Sequence, residues 1–237
     1  KIYPVDTAAK LFPPTARPTN TSVFRLSVLL KEEVDPEALQ SAAEKTLERY
    51  PYMAVRLGKA GFEKTGAPYA VREETGTPCA PFDLEKDEYL LRVLWYGKRI
   101  SVELFHALAD GAGGLEFLKT LLYCYLTGGG AKIDPQGKLL LPGETPREEE
   151  HEDSFLKYYD GRKAPVRKMP PAFKIRGKPL PEGGRNVLNG VLGIEGLKKA
   201  ARRQKATVTE YLCALMAHSI YRECVNENVD DEPIVLS

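Results

Sequence analysis

The stretch Arg99–Leu118, RISVELFHALADGAGGLEFL, carries the residues best suited to chemistry. An alternating run puts Ile100, Val102 and Leu104 on one face and Ser101, Glu103 and Phe105 on the other, then meets His106, one of three histidines in the chain. Asp110 and Gly111 follow, and a helical pattern begins. Alternation places His106 on the Leu104 side of the strand, at the strand mouth where α/β architectures hold reactive groups. Imidazole exchanges protons near neutral pH, so a histidine there can serve as a general base. Asp110-Gly111 suits a turn, because aspartate bonds nearby backbone amides and glycine accepts positive φ. The spacing does not bring Asp110 to the imidazole; it could hold the turn through an arginine or through backbone bonds. A satisfied strand-end histidine beside an ordinary Asp-Gly turn would give the same pattern.

The remaining candidates are weaker. His151, in REEEHED (Arg147–Asp153), could be a metal ligand but reads better as part of a solvated acidic patch, and no metal site is expected. His218 falls in an apolar helical pattern and reads as a hydrogen-bonded core residue. Trp95 and Tyr96 read as packing beside a hairpin. The basic run Lys198–Lys205, KKAARRQK, could attract phosphates but is expected to be the polar face of an amphipathic helix. Cys79, Cys124, Cys213 and Cys224 have no paired CxxC spacing; Cys124 and Cys213 read as small core residues, and a reducing cytoplasm fits.

Bulk composition allows all of this and excludes much else. The 237 residues suit one large domain or two small ones, with 43% hydrophobic and 28% charged residues. A formal net charge of +1 argues against a nucleic-acid or membrane partner held by bulk electrostatics. No run of about 18 uncharged apolar residues is present, so no membrane span is expected. The opening KIYPVDTAAKLF lacks the apolar core of a signal peptide.

Several elements are predicted to position the motif. SVFRLSVLL (Ser22–Leu30) reads as a strand. Val34–Tyr50 reads as a helix with Asp35 as N-cap, Pro36 in its first turn, and an apolar stripe of Leu39, Ala42, Ala43, Thr46, Leu47 and Tyr50. Three short strands follow in MAVRL, GFEKT and PYAVREE. Glu88–Phe105 reads as a hairpin turning at Gly97-Lys98. A helix from about Gly113 to Leu126 is expected to bury Leu115, Leu118, Leu121, Leu122 and Tyr125, and to stop at TGGG. Residues 131–189 form a long connection with little periodicity. NVLNGVLG (Asn186–Gly193) reads as a strand, Ile194–Gln204 as an amphipathic helix, and Thr207–Cys224 as a buried helix with a Thr207/Glu210 capping box. Ile234-Val235-Leu236 opens a further strand, which suggests a fragment of a longer protein.

FHALADGAGGLEFLKTLL (Phe105–Leu122) resembles the His-x-x-x-Asp-Gly signature of the CoA-dependent acyltransferases, a superfamily that includes chloramphenicol acetyltransferase, alcohol acetyltransferases and the condensation domains of nonribosomal peptide synthetases. Most condensation domains carry two adjacent histidines; Phe105 in the first position looks more like the alcohol acetyltransferase branch. LERYPYMAVRL (Leu47–Leu57) is similar to the family's helix-end and strand segment. Lys198–Ile220 and PIVLS (Pro233–Ser237) resemble the opening of its second half.

The resemblance implies a chloramphenicol acetyltransferase-like α/β fold, a two-layer sandwich with a mixed sheet and helices on one face, forming half of a pseudo-dimer with a tunnel between halves. It implies residues 1–130 as the half carrying the motif, 131–189 as the connection and 190–237 as the truncated start of the second half. His106 would be the general base that deprotonates an alcohol or amine as it attacks an acyl-CoA thioester, acetyl-CoA being the expected cosubstrate. Asp110 would be structural, ion-paired with an arginine for which Arg56 is the expected candidate. Gly111 would let the turn form, and Gly113-Gly114 would allow close packing. With the missing half as partner, the fragment alone is expected to be weakly active or inactive. Two alternatives stay open: a condensation-type domain acting on carrier-bound acyl groups, and a degenerate, non-catalytic binding domain.

Overall fold

The computed structural model describes residues 1–162, 170–178, 180–181, 188, 190–225 and 232–236. The chain divides into two compact units, Lys1–Gly161 and Arg162–Ser237. Residues 131–161, assigned from sequence to a connection, belong to the first unit.

In the first unit the strands are β1 (Ile2–Tyr3), β2 (Val23–Leu29), β3 (Val55–Gly58), β4 (Gly61–Lys64), β5 (Arg72–Glu73), β6 (Leu91–Tyr96) and β7 (Arg99–Phe105). Its helices are α1 (Phe12–Thr15), α2 (Pro36–Arg49), α3 (Gly111–Gly128) and α4 (Ser154–Tyr158). One sheet has the order β2-β7-β6-β5 and the other β1-β4-β3. β2, β7 and β6 pair antiparallel while β5 runs parallel to β6, so the larger sheet is mixed.

Helices α2 and α3 cover one face of that sheet, giving the expected two-layer α/β sandwich. Leu39, Ala43 and Leu47 of α2 and Phe117 and Leu121 of α3 are buried with Leu91, Val93, Ile100, Val102 and Leu104 in one core. The α2 prediction holds in detail: Asp35 accepts hydrogen bonds from the Glu37 and Ala38 amides, and the predicted stripe is buried. The hairpin turns at Gly97, whose φ of 54° is the left-handed value a two-residue link needs. A second core joins Tyr3, Val55 and Phe62 of the small sheet to Leu90 and Phe105, so both cores meet at the end of β7.

The other face of the larger sheet carries charge. The buried carboxylate of Glu103 accepts from Arg25 Nε and Nη2 at 3.0 and 2.6 Å and from the Cys79 amide at 2.5 Å. Arg92 Nη1 adds a bond at 3.3 Å. Glu74 pairs with Arg25 at 2.8 Å and Arg99 at 2.9 Å, which ties β5, β2 and β7 together.

Four expectations need correction. Helix α3 begins two residues earlier than predicted and buries a face centred on Gly114, Phe117, Leu121 and Cys124, leaving Leu115 exposed. Gly114 on that face meets Phe24 and Leu104, while Leu118 and Leu121 are buried as predicted and Leu122 and Tyr125 are partly buried against the same core. In the second unit, α5 (Ile194–Arg203) packs on α6 (Val208–Cys224), and the Thr207/Glu210 capping box forms. Helix α6 is nevertheless exposed along Leu212, Leu215 and Met216, and Cys213 and His218 lie on its surface rather than in a core. Its apolar faces outnumber the neighbours that α5 supplies. Ile234–Leu236 is not a strand; within the described residues this segment makes one backbone bond, Phe173 N to Pro233 O at 3.0 Å, where a strand needs a ladder. Of the Asn186–Gly193 strand, residues 186, 187 and 189 lie outside the described residues and Gly190–Gly193 is irregular.

Removing Glu103 takes away the buried carboxylate that Arg25 and Arg92 share beneath the sheet. The variant Glu103→Ala is expected to lose about 3 to 5 kcal/mol in urea denaturation; a loss below about 1 kcal/mol would show the network to be solvated.

Candidate active site

β7 ends at Phe105, but its pairing with β2 runs one bond further, His106 N donating to Ser22 O at 2.7 Å. That bond fixes the backbone of His106 at the strand mouth, on the Leu104 side as alternation requires. The ring is half-buried, stacked on Phe12 with centroids 4.4 Å apart and planes at 10°, and tilted against Phe24 at 5.0 Å. Within the described residues no side-chain hydrogen bond reaches the imidazole. The ring borders a cavity of about 560 Å³, in the size range of small-molecule sites.

Asp110 caps α3: its carboxylate accepts from Gly113 N at 2.8 Å, and its carbonyl accepts from Gly114 N at 2.9 Å. The expected Asp110–Arg56 pair is absent. Arg56 lies on β3 against Glu63 at 3.0 Å and Glu88 at 3.9 Å, since those carboxylates face it across the small sheet. Asp110 needs no cation because it is exposed and sits at the positive end of a helix. Gly111 also lacks the expected role: its φ is outside the left-handed region, and a Cβ there would meet nothing within 4 Å. The glycine that matters is Gly114, where a Cβ would stand 3.0 Å from Phe24 Cε2 and 3.3 Å from Leu104 Cδ1. Its missing side chain lets α3 approach the phenyl ring that leans on His106.

Part of the cavity lining comes from the acidic stretch, which is solvated as expected at Arg147, Glu148 and Glu149 but not from Glu150 to Asp153. Arg49, on α2 and almost fully buried, forks onto Glu150 with both bonds at 2.8 Å, and the Tyr52 hydroxyl donates to Glu150 at 2.8 Å. Asp153 accepts from the Thr7 amide and hydroxyl, both at 2.8 Å. Between these anchors His151 is held edge-on to Tyr3 at 5.1 Å and tilted on Tyr52 at 5.6 Å, and it lines the same cavity as His106. Arg49 was legible in principle: it continues the row Ala42, Thr46, Arg49 on the buried side of α2, and a buried arginine requires a carboxylate. Phe12 and Phe24 carried no signal, because stacking partners of a histidine have no fixed spacing.

The fork from Arg49 holds Glu150 down to about 2, against the upward push of burial and with help from the Tyr52 hydroxyl. Burial, then the Glu150 carboxylate, push the Tyr52 hydroxyl well above its ordinary range, so it remains a donor. Burial also raises the Cys124 thiol, which disfavours a thiolate there. Among the described residues no cluster of His, Cys, Asp or Glu is arranged to hold a metal ion, and no helix is long and apolar enough to cross a membrane. The basic residues Lys199, Arg202 and Arg203 line an open hollow on α5 alone, as the polar side of that helix.

No family model matches the chain, and no curated protein matches it. Among solved structures it is similar to the complex of the X-domain and OxyB from teicoplanin biosynthesis, at TM-score 0.45 and 18% identity over 62% of this chain and 35% of that one. It is similar to a mutant starter condensation domain of the rhizomide synthetase RzmA in complex with C8-CoA, at TM-score 0.44 and 12% identity over 61% and 38%. A third is SgcC5 from Streptomyces globisporus, at TM-score 0.42 and 16% identity over 56% and 38%. The chain spans 35–38% of the length of those three.

Gly111→Ala is expected to be neutral or stabilising by up to about 1 kcal/mol, whereas Gly114→Ala should cost about 1 to 3 kcal/mol by overpacking against Phe24. Urea midpoints of the two variants check this, and equal midpoints would refute it. The depressed carboxyl of Glu150 adds stability that is fully present above about pH 4.5, its ordinary value, and is lost as pH falls through about 2. The difference in midpoint between the wild type and Glu150→Gln should therefore shrink between pH 5 and pH 2, in about that range; a constant difference would show that the fork is not what lowers this group.

Proposed function

We propose that the chain is the motif-bearing half of a CoA-dependent acyltransferase, with His106 as general base. The observation that carries this reading is a half-buried imidazole, free of hydrogen bonds within the described residues, at the edge of a cavity large enough for a small acceptor. It adds to the resemblance of Phe105–Leu122 to the His-x-x-x-Asp-Gly signature. The acceptor hydroxyl or amine gives its proton to the imidazole as it attacks the thioester carbonyl carbon. The C–S bond breaks, and the departing thiolate recovers that proton from the imidazolium. The bond from β2 fixes the His106 backbone and the contacts with Phe12 and Phe24 hold its ring, so positioning as well as proton transfer contributes. Asp110 acts as a helix cap and not as a partner of the imidazole.

The donor proposed is acetyl-CoA or another short acyl-CoA, the acceptor a small alcohol or amine, and the setting the cytoplasm. A second half is proposed to complete the donor side of the site. The test is release of free thiol from acetyl-CoA in the presence of short alcohols, by this chain and by a longer protein containing it. His106→Ala is expected to lower turnover by about 10² to 10⁴-fold, and retention of more than about a tenth would falsify the base role. Equal turnover by the chain and the longer protein would overturn the need for a second half.

A further inference from the structure

A second imidazole lines the cavity that His106 borders, packed on tyrosines where the first is packed on phenylalanines. His151 is half-buried, lines the same cavity, and within the described residues receives no side-chain hydrogen bond. It is also the better anchored of the two. Tyr3 and Tyr52 hold its ring, and the flanking residues Glu150 and Asp153 are tied to Arg49 and Thr7. A buried ion pair contributes little net stability compared with an apolar pair, but it fixes geometry. Fixing this segment places an imidazole, with one donor and one acceptor nitrogen when neutral, on the cavity wall. The third histidine, His218, lies exposed on α6 and serves as an internal control.

We propose that His151 is an acceptor-positioning residue, and that the preferred acceptor carries two polar groups, one presented to His106 and the other hydrogen-bonded to His151. This deepens the acyltransferase reading and rests on it for the word acceptor. The cavity selects a diol or amino alcohol over a simple alcohol. A polar site is left unpaired when the ligand lacks the matching group, and that penalty is a source of discrimination. His151 forms no bond with the reacting atoms; it acts by holding the molecule that does.

The experiment needs no turnover. The chain is labelled at histidine, giving three imidazole signals in a two-dimensional NMR spectrum. It is titrated with a series of α,ω-alkanediols of increasing chain length, and separately with the matching 1-alkanols. At least one diol should shift the His106 and His151 signals on a single saturation curve, leave His218 in place, and bind about tenfold or more tightly than its 1-alkanol. His151→Phe keeps the ring contacts with Tyr3 and Tyr52 but removes both nitrogens, and should abolish the diol preference while the 1-alkanol still binds. His151→Gln should restore part of it. Movement of His106 alone, no movement of either signal, equal binding of diols and alcohols, or an intact preference in His151→Phe would each overturn the proposal. Failure of thiol release with the diol preference intact would sink the catalytic reading and leave this one. Turnover without a diol preference would do the reverse.

Discussion

A guanidinium taken out of water must be met by a carboxylate, and in the first unit that requirement shapes the site. Arg49 sits at the end of α2 under Tyr50 and beside Tyr52, with almost no exposed surface. Glu150 answers it from a hundred residues further on, next to His151, which packs on Tyr3 of the small sheet, and close to Asp153, which is bonded to Thr7. The acidic stretch is therefore a wall of the site, and its charges are largely spoken for by Arg49, Thr7 and Lys157.

His106 is positioned by a different means. Its backbone is the last rung of the β2–β7 pairing, and its ring lies between two phenyl groups rather than on a carboxylate. Aromatic contacts hold a plane without occupying the nitrogens, so orientation is obtained while proton-transfer capacity is kept. Gly114 belongs to the same arrangement, since it sets how closely α3 can press on Phe24. The motif thus works through its third glycine more than its first.

Much of this was legible where local chemistry decides structure. The Asp35 cap, the α2 stripe, the Gly97-Lys98 turn, the Thr207/Glu210 capping box and the strand leading to His106 all follow from patterns within a few residues. What escaped depends on partners distant in the chain. Arg56 was expected to pair with Asp110 only because the family resemblance implies an arginine there, yet register on β4 gives it Glu63. The acidic run looked solvated because its counter-charge is on α2, and α6 looked buried because an all-round apolar helix ordinarily is. Leu115 of α3 misled for a related reason: where the buried face of a broadly apolar helix is centred depends on the sheet residues it meets, here Phe24 and Leu104.

The two anchors of the acidic segment span 101 and 146 residues of chain. Closing such long loops carries an entropic cost that local elements do not bear, and the contacts that offset it form only when both cores are in place. A ligand of the cavity that touches both histidines would stitch this segment to the sandwich, so occupancy should register as slowed amide exchange along residues 147–154.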